Sequence, residues 1–115
     1  MNRIFFCIIF FSLIACGNKN KVPKNILPQK QMQAVLWDVM RADMMVNTLS
    51  ARDTSLDKFA KNTELYQQIF RIHGITKEQF KRSINYYRTH PVLMQTTFDS
   101  LYAQASRTVD TTAIK

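Results

Sequence analysis

Apolar residues recur every three or four positions through most of the 115-residue chain, which is the spacing of one face of an α-helix. No segment alternates apolar and polar residues with the β-branched enrichment of a strand. Two glycines in the whole chain would also serve a sheet of hairpins poorly. The spacing therefore predicts an all-α fold, a small bundle of three to four helices that occupies residues 28–107.

Capping residues divide this stretch into four predicted helices. The first is expected from Pro28 to about Leu49. The second would be capped by Thr54, Ser55 or Asp57 and end at Arg71 or Ile72, before His73-Gly74. The third would begin at the capping box Thr76 to Gln79 and end near Thr89-His90, and the fourth would extend from Pro91 to about residue 107. Residues 50–53 would connect the first two helices. Residues 108–115, which are rich in threonine, are expected to form a disordered tail.

Projection at 100° per residue gives each helix an apolar stripe that would contribute to one shared core. The predicted stripes are Met32, Val35, Leu36, Val39, Met40, Ala42 and Val46; Leu56, Phe59, Ala60, Tyr66, Ile69 and Phe70; Phe80, Ile84 and Tyr87; and Met94, Phe98, Leu101, Tyr102 and Ala105.

The N-terminal segment has the features of a cleaved lipoprotein signal. Arg3 precedes an apolar run from Ile4 to Ala15 that ends in Leu13-Ile14-Ala15-Cys16, a pattern that resembles a bacterial lipobox. We expect removal of residues 1–15 and lipidation of Cys16, with residues 16–27 as a basic tether. Cys7 would leave with the signal, so the mature domain would contain no disulfide.

Two other interpretations of this segment fit less well. The run of twelve residues spans about 18 Å as a helix, which is too short for a hydrocarbon core of about 30 Å. Ordinary secretory cleavage requires small residues at both recognition positions, whereas Leu13 occupies the first of them. The predicted location is therefore a lipid anchor in the inner or outer membrane. Residues 17–21, directly after Cys16, contain no acidic residue. Surface-exposed bacterial lipoproteins tend to resemble one another in having acidic residues there, so the domain is expected to face the periplasm.

The charge and the motif content narrow the functional class. Without Arg3 the chain has 15 basic and 8 acidic residues, a net charge of +7. The sequence nevertheless contains no nucleic-acid recognition motif with interleaved aromatic residues. We therefore expect no nucleic-acid partner. No phosphate loop, nucleophile elbow or metalloprotease helix occurs, and His73 and His90 have no thiol with which to share a metal. We predict neither catalysis nor a cofactor nor a metal site.

Two departures from amphipathic patterning give the candidate functional residues. Asp43 projects into the apolar stripe of the first helix. A carboxylate there needs a partner such as Arg, a Tyr hydroxyl or a helix N-terminus. Asp43 therefore has either a structural role or a binding role. Large apolar residues also fall outside the stripes, and they either complete the core or form a partner surface. These candidate interaction residues are Trp37, Met44, Met45, Leu65 and Ile72.

A second candidate site is polar. The run from Lys81 to Arg88 mixes basic and aromatic residues, and it is either an ordinary helix surface or a site for an anionic glycan or lipid. The candidate residues are Arg82, Tyr86, Tyr87 and Arg88, together with Asp43.

The order of several short segments resembles a family of small Bacteroidetes lipoproteins that is defined by a domain of unknown function. The resemblance covers about residues 22–105 and includes Val22-Pro23-Lys24, Ile26-Leu27-Pro28, Met32, Leu36, Asp38, Ala42, Asp43, His73-Gly74-Ile75-Thr76, Gln79-Phe80, Ser83, Tyr86-Tyr87, His90-Pro91 and Phe98-Asp99. It implies a helical, membrane-tethered domain and no particular activity or catalytic residue.

These features favour a membrane-tethered periplasmic lipoprotein that acts as a binding or assembly module for an envelope protein. The alternative is a ligand-binding or accessory enzyme subunit that recognises an envelope glycan or lipid. An exposed apolar patch would favour the first function. A concave pocket that combines tyrosine, arginine and Asp43 would favour the second.

Overall fold

The computed structural model describes residues 21–113, with side chains for residues 21–111. The predicted signal segment and the predicted lipidation site at Cys16 lie outside the described residues. Four helices form the described chain: α1 (Gln29–Arg52), α2 (Lys58–Ile72), α3 (Lys77–Arg88) and α4 (Pro91–Ala113). No strand occurs between residues 21 and 113, so the predicted all-α class is confirmed.

Helix α1 is the central element because it packs against both α2 and α4, while α3 packs against α4. The largest fully buried apolar side chains include Leu27, Met32, Leu101 and Tyr87, and the core joins all four helices to the segment before α1. Gln29 Nε2 donates to Thr96 Oγ1 at 3.0 Å, which places the start of α1 beside the first turns of α4. None of the helices within residues 21–113 has the length and apolar character needed to cross a bilayer.

The helix starts agree with the capping residues. The Asp57 carboxylate accepts from the Ala60 amide at 3.1 Å, and the Thr76 hydroxyl accepts from the Gln79 amide at 3.1 Å. Gly74 follows α2 with φ of 64°, as expected for a residue that ends a helix. The fourth helix begins at Pro91 as predicted.

Two helix ends lie further along the chain than expected. Helix α1 includes Ser50, Ala51 and Arg52, which had been assigned to the connection, and the Asp53 amide still donates to the Leu49 carbonyl at 2.9 Å. Helix α4 continues through residues 108–113, where a disordered tail was expected. The Thr108 and Thr111 hydroxyls donate to backbone carbonyls one turn earlier, so these side chains satisfy their polarity within the helix.

The predicted apolar stripe of α4 is correct at Leu101 and Met94 but wrong at two other positions. Phe98 and Tyr102 are exposed, and the buried face contains Leu93, Thr97 and Leu101. A threonine can occupy this face because its hydroxyl donates to the Leu93 carbonyl at 2.8 Å and its methyl group remains free to pack. Phe59, also assigned to the core, is 82% exposed on the first turn of α2.

The segment before α1 belongs to the fold and not to a free tether. Ile26 and Leu27 are buried, and Val22 packs against the core from a half-buried position. The Ile26 amide also donates to the Pro23 carbonyl at 3.1 Å, which closes a turn. The predicted tether of residues 16–27 is therefore too long, because its last residues are part of the packed domain.

Candidate functional site

A groove of about 360 Å³ runs between α1 and α2, and it contains three of the five candidate interaction residues. Met45 comes from α1, and Leu65 and Ile72 come from α2. The remaining lining residues are Asp38, Arg41, Ala42, Gln68 and Ile69. We refer to this feature as the α1–α2 groove. Its floor is apolar and its rim carries one charge of each sign, which is the usual composition of a protein contact site.

Exposure within the groove varies among the three residues. Ile72 is 78% exposed and Met45 is 44% exposed, whereas Leu65 is half-buried and packs against the core. Ile72 is the last residue of α2, where no further helix turn covers it. The side chains of Met45 and Ile72 are therefore exposed at the groove, whereas Leu65 is partly covered by the core.

Trp37 and Met44 do not join this groove. Trp37 is half-buried against the core and lines a separate depression with Lys30, Gln33 and Gln104. Met44 is 69% exposed on another part of α1. The five apolar residues that the sequence singled out thus occupy different surfaces. Trp37 and Leu65 pack against the core, whereas Met44, Met45 and Ile72 are exposed.

Asp43 has one of the partners that the sequence analysis specified. The Tyr66 hydroxyl donates to Asp43 Oδ1 at 2.6 Å across the interface of α1 and α2, where both residues are partly buried. Burial and the neighbouring carboxylate together raise the pKa of Tyr66 to about 12. This geometry gives Asp43 a structural partner in the helix hairpin.

A second carboxylate contact was not predicted from the sequence. His73 Nε2 lies 2.7 Å from Asp38 Oδ2, and the Gln31 side-chain amide donates to the His73 carbonyl at 3.2 Å. These contacts fix the end of α2 against the first half of α1. Sequence reasoning placed His73 at a helix end but had no signal for Asp38, because the pairing depends on how the two helices cross.

Tyr87 is unavailable as a ligand-binding residue because it is fully buried. Its hydroxyl donates to the Leu27 carbonyl at 2.8 Å, and the Leu27 amide donates to Ser83 Oγ at 2.9 Å. Burial, with a smaller contribution from neighbouring Tyr86, raises the pKa of Tyr87 to about 12. The polar site predicted for Tyr87 is thus corrected, since its hydroxyl attaches the N-terminal segment to α3.

Tyr86 borders a cavity of about 290 Å³ where α3 meets α4. Its ring stacks on His90 with centroids 3.9 Å apart, and His90 Nδ1 lies 2.7 Å from the Tyr86 carbonyl oxygen. Lys21 and Val22 complete the cavity from the N-terminal side, with Thr89, Pro91, Val92 and Leu93. Arg82 and Arg88 are exposed on α3 but do not line this cavity.

The candidate polar residues therefore do not converge on one pocket. Asp43 contacts Tyr66 between α1 and α2, whereas Tyr86 lies at the junction of α3 and α4. Among the residues that the structure describes, no three His, Cys, Asp or Glu side chains are placed to hold a metal ion. Among the side chains of residues 21–111, no hydroxyl or thiol makes a hydrogen bond with the Asp38–His73 pair.

Within residues 21–113 the four helices define a small all-α bundle, with an apolar groove between α1 and α2. Over residues 23–111 the chain matches the family described as Domain of unknown function (DUF4296), and it belongs to that family. The match confirms the predicted relation to a family defined by a domain of unknown function. No curated protein and no solved structure shows detectable similarity to the chain.

Proposed function

We propose that this protein is a membrane-tethered lipoprotein of the cell envelope whose domain faces the periplasm and binds an envelope protein. The α1–α2 groove is the proposed contact site. The observation that carries the proposal is the position of Met45 and Ile72, two exposed apolar side chains that line the groove from opposite helices, with Ile72 the more exposed of the two.

The groove has a chemistry that suits a protein partner better than a small polar ligand. Methionine is flexible and polarisable, so Met45 can adapt to the side chains of an incoming segment. Asp38 and Arg41 on the rim can pair with charges of either sign and thereby fix the orientation of that segment. The partner is expected to insert apolar side chains between the two helices.

The proposed anchor would make this contact effective even if it is weak. A lipidated Cys16 would confine the domain to the membrane surface and raise its effective concentration near a membrane partner. The sequence Leu13-Ile14-Ala15-Cys16 and the preceding apolar run support this part of the proposal. Replacement of Cys16 by Ser should shift the protein from the membrane fraction to the soluble fraction or to an unprocessed precursor.

The test of the contact site is affinity purification from cross-linked native membranes. The variant Met45→Asp with Ile72→Asp should lose a partner that the wild-type protein retains, because two charges would replace the uncovered apolar contacts. Phe59→Asp is the matched control, since Phe59 is an exposed apolar residue of α2 outside the groove. Equal recovery of the same proteins with all three forms would overturn the proposal.

The alternative function, recognition of a glycan or lipid by Asp43 together with the α3 residues, has less support. Tyr87 is buried and Asp43 lies in a different helix interface from Tyr86. We therefore assign no glycan site to this set of residues.

A further inference from the structure

The corner between α3 and α4 lies directly beside the point where the chain continues towards Cys16. We define the α3–α4 corner as the cavity-lining residues Lys21, Val22, Tyr86, His90 and Val92. Val22 packs against the core, and Ile26 and Leu27 are buried. The chain is thus held to the domain from about Val22 onward.

This attachment limits how far the corner can move from a membrane anchor at Cys16. Five residue steps separate Cys16 from Lys21, and a fully extended chain covers about 17 Å over that distance at 3.3–3.6 Å per residue. A free tether of residues 16–27 would have reached about twice as far. The corner is therefore the part of the described domain that a lipidated Cys16 would hold nearest the bilayer.

The charge around the corner has a single sign. Residues 21–28 and 79–98 contain no aspartate or glutamate, and their charged residues are Lys21, Lys24, Lys81, Arg82 and Arg88. Lys21, Lys24 and Arg88 are all exposed. Clusters of lysine and arginine next to a membrane attachment attract anionic lipid surfaces. By contrast, the opposite end of α1 carries both signs, with Asp53 and Asp57 beside Arg52 and Lys58.

The apolar and aromatic residues of the corner are also suited to contact with a membrane surface. Val92 is 74% exposed, and Tyr86 presents a ring with a polar tip. Tyrosine is enriched at the level of lipid headgroups, where an amphipathic ring contacts both acyl chains and water. The stacked His90 supports the Tyr86 ring from inside the cavity.

We infer that the α3–α4 corner rests on the membrane surface and binds anionic lipid headgroups through Lys21, Lys24 and Arg88. This inference rests on the proposed lipid anchor, but it is independent of the α1–α2 groove and its protein partner. The bound chemistry is the phosphate of an anionic phospholipid, which would lie on the surface around the cavity, because Lys21 lines the cavity and Lys24 and Arg88 are exposed outside it. The domain would thereby hold one fixed orientation on the bilayer.

The test measures the membrane depth of two sites on the full-length, acylated protein. Val92→Cys places an environment-sensitive fluorophore at the corner, and Thr54→Cys places it in the exposed connection at the opposite end of α1. The proteins are reconstituted into vesicles of phosphatidylcholine alone or of phosphatidylcholine with phosphatidylglycerol, both containing a quencher attached to the lipid. Mass spectrometry establishes acylation of Cys16 first.

We expect several-fold stronger quenching and a blue-shifted emission at position 92 relative to position 54, and only with phosphatidylglycerol present. Lys21→Glu with Lys24→Glu should remove most of the quenching at position 92. Arg52→Glu with Lys58→Glu, the matched pair at the other end, should leave it unchanged.

Equal quenching at the two positions, or quenching that ignores lipid charge, would overturn this inference while leaving the anchor intact. Absence of an acyl group on Cys16 would overturn the anchor and this inference together. Neither result would bear on the groove, which has its own test.

Discussion

Leu27 is bound to α3 by both of its backbone polar groups, which are otherwise inaccessible to water. Ser83 and Tyr87 lie four residues apart and therefore share one face of α3, where one accepts from the Leu27 amide and the other donates to its carbonyl. The Ser83 hydroxyl also donates to the Gln79 carbonyl at 2.8 Å. These two side chains explain why the segment before α1 follows a defined path.

Replacement of Tyr87 by Phe should destabilise the domain by about 1–3 kcal/mol, because it leaves a buried carbonyl without its donor. Tyr102→Phe is the matched control, since Tyr102 is 77% exposed, and it should change stability by less than about 0.5 kcal/mol. Urea denaturation of the mature chain carrying Cys16→Ser measures both. Equal stability of the two variants would show that the contact to Leu27 is unimportant.

Tyr66 and Tyr87 should make the free energy of unfolding depend on pH in the alkaline range. Both tyrosines have a pKa of about 12 in the folded protein, against an ordinary value of 10.0. Below pH 10 the folded and unfolded chains keep both protons, so the contribution is complete. Between pH 10 and about 12 only the unfolded chain loses them, and the free energy of unfolding should fall.

The loss should be at most about 3 kcal/mol for buried Tyr87, and smaller for the more accessible Tyr66. Denaturation midpoints measured across this range should fall less steeply in Tyr87→Phe than in Tyr102→Phe. Parallel curves for the two variants would contradict a raised pKa at Tyr87.

At the scale of the helices, the starts were easier to predict than the C-terminal ends or the buried faces. Thr76 caps the helix that follows it, and Pro91 has a backbone conformation suited to the first residue of a helix. The starts of α3 and α4 therefore follow from the local sequence. The buried face of α4 depends on the position of α1 and α3, and apolar content alone selected Tyr102 over Thr97. A buried threonine that bonds within its own helix leaves no signal in the apolar pattern.

The turn after α2 depends on Gly74, whose φ of 64° is unfavourable for residues with a side chain. A Cβ added there would meet no atom within 4 Å, so the cost of Gly74→Ala is conformational and should be about 1 kcal/mol. Gly74→Asn should cost less, because asparagine tolerates this region. Thermal unfolding compares the two variants. A larger loss with Asn than with Ala would contradict this explanation.

At the scale of the whole molecule, the sequence predicted a helical bundle and specified the kinds of partner that Asp43 needs. It could not predict which helices pair, and the pairing decides whether an apolar residue is covered. Trp37 is partly covered against the core, whereas Met45 and Ile72 are exposed on the two helices that line the groove. The Asp38–His73 contact could not be predicted for the same reason, because it depends on how α1 and α2 pair.

We propose that the α1–α2 groove holds a protein partner in the living cell. A photo-reactive amino acid introduced at position 72 of the full-length protein tests it directly, with position 59 as the exposed control on the same helix. Irradiation of intact cells should give one discrete cross-linked species from position 72 and none from position 59. No adduct from position 72, or the same adducts from both positions, would contradict the claim.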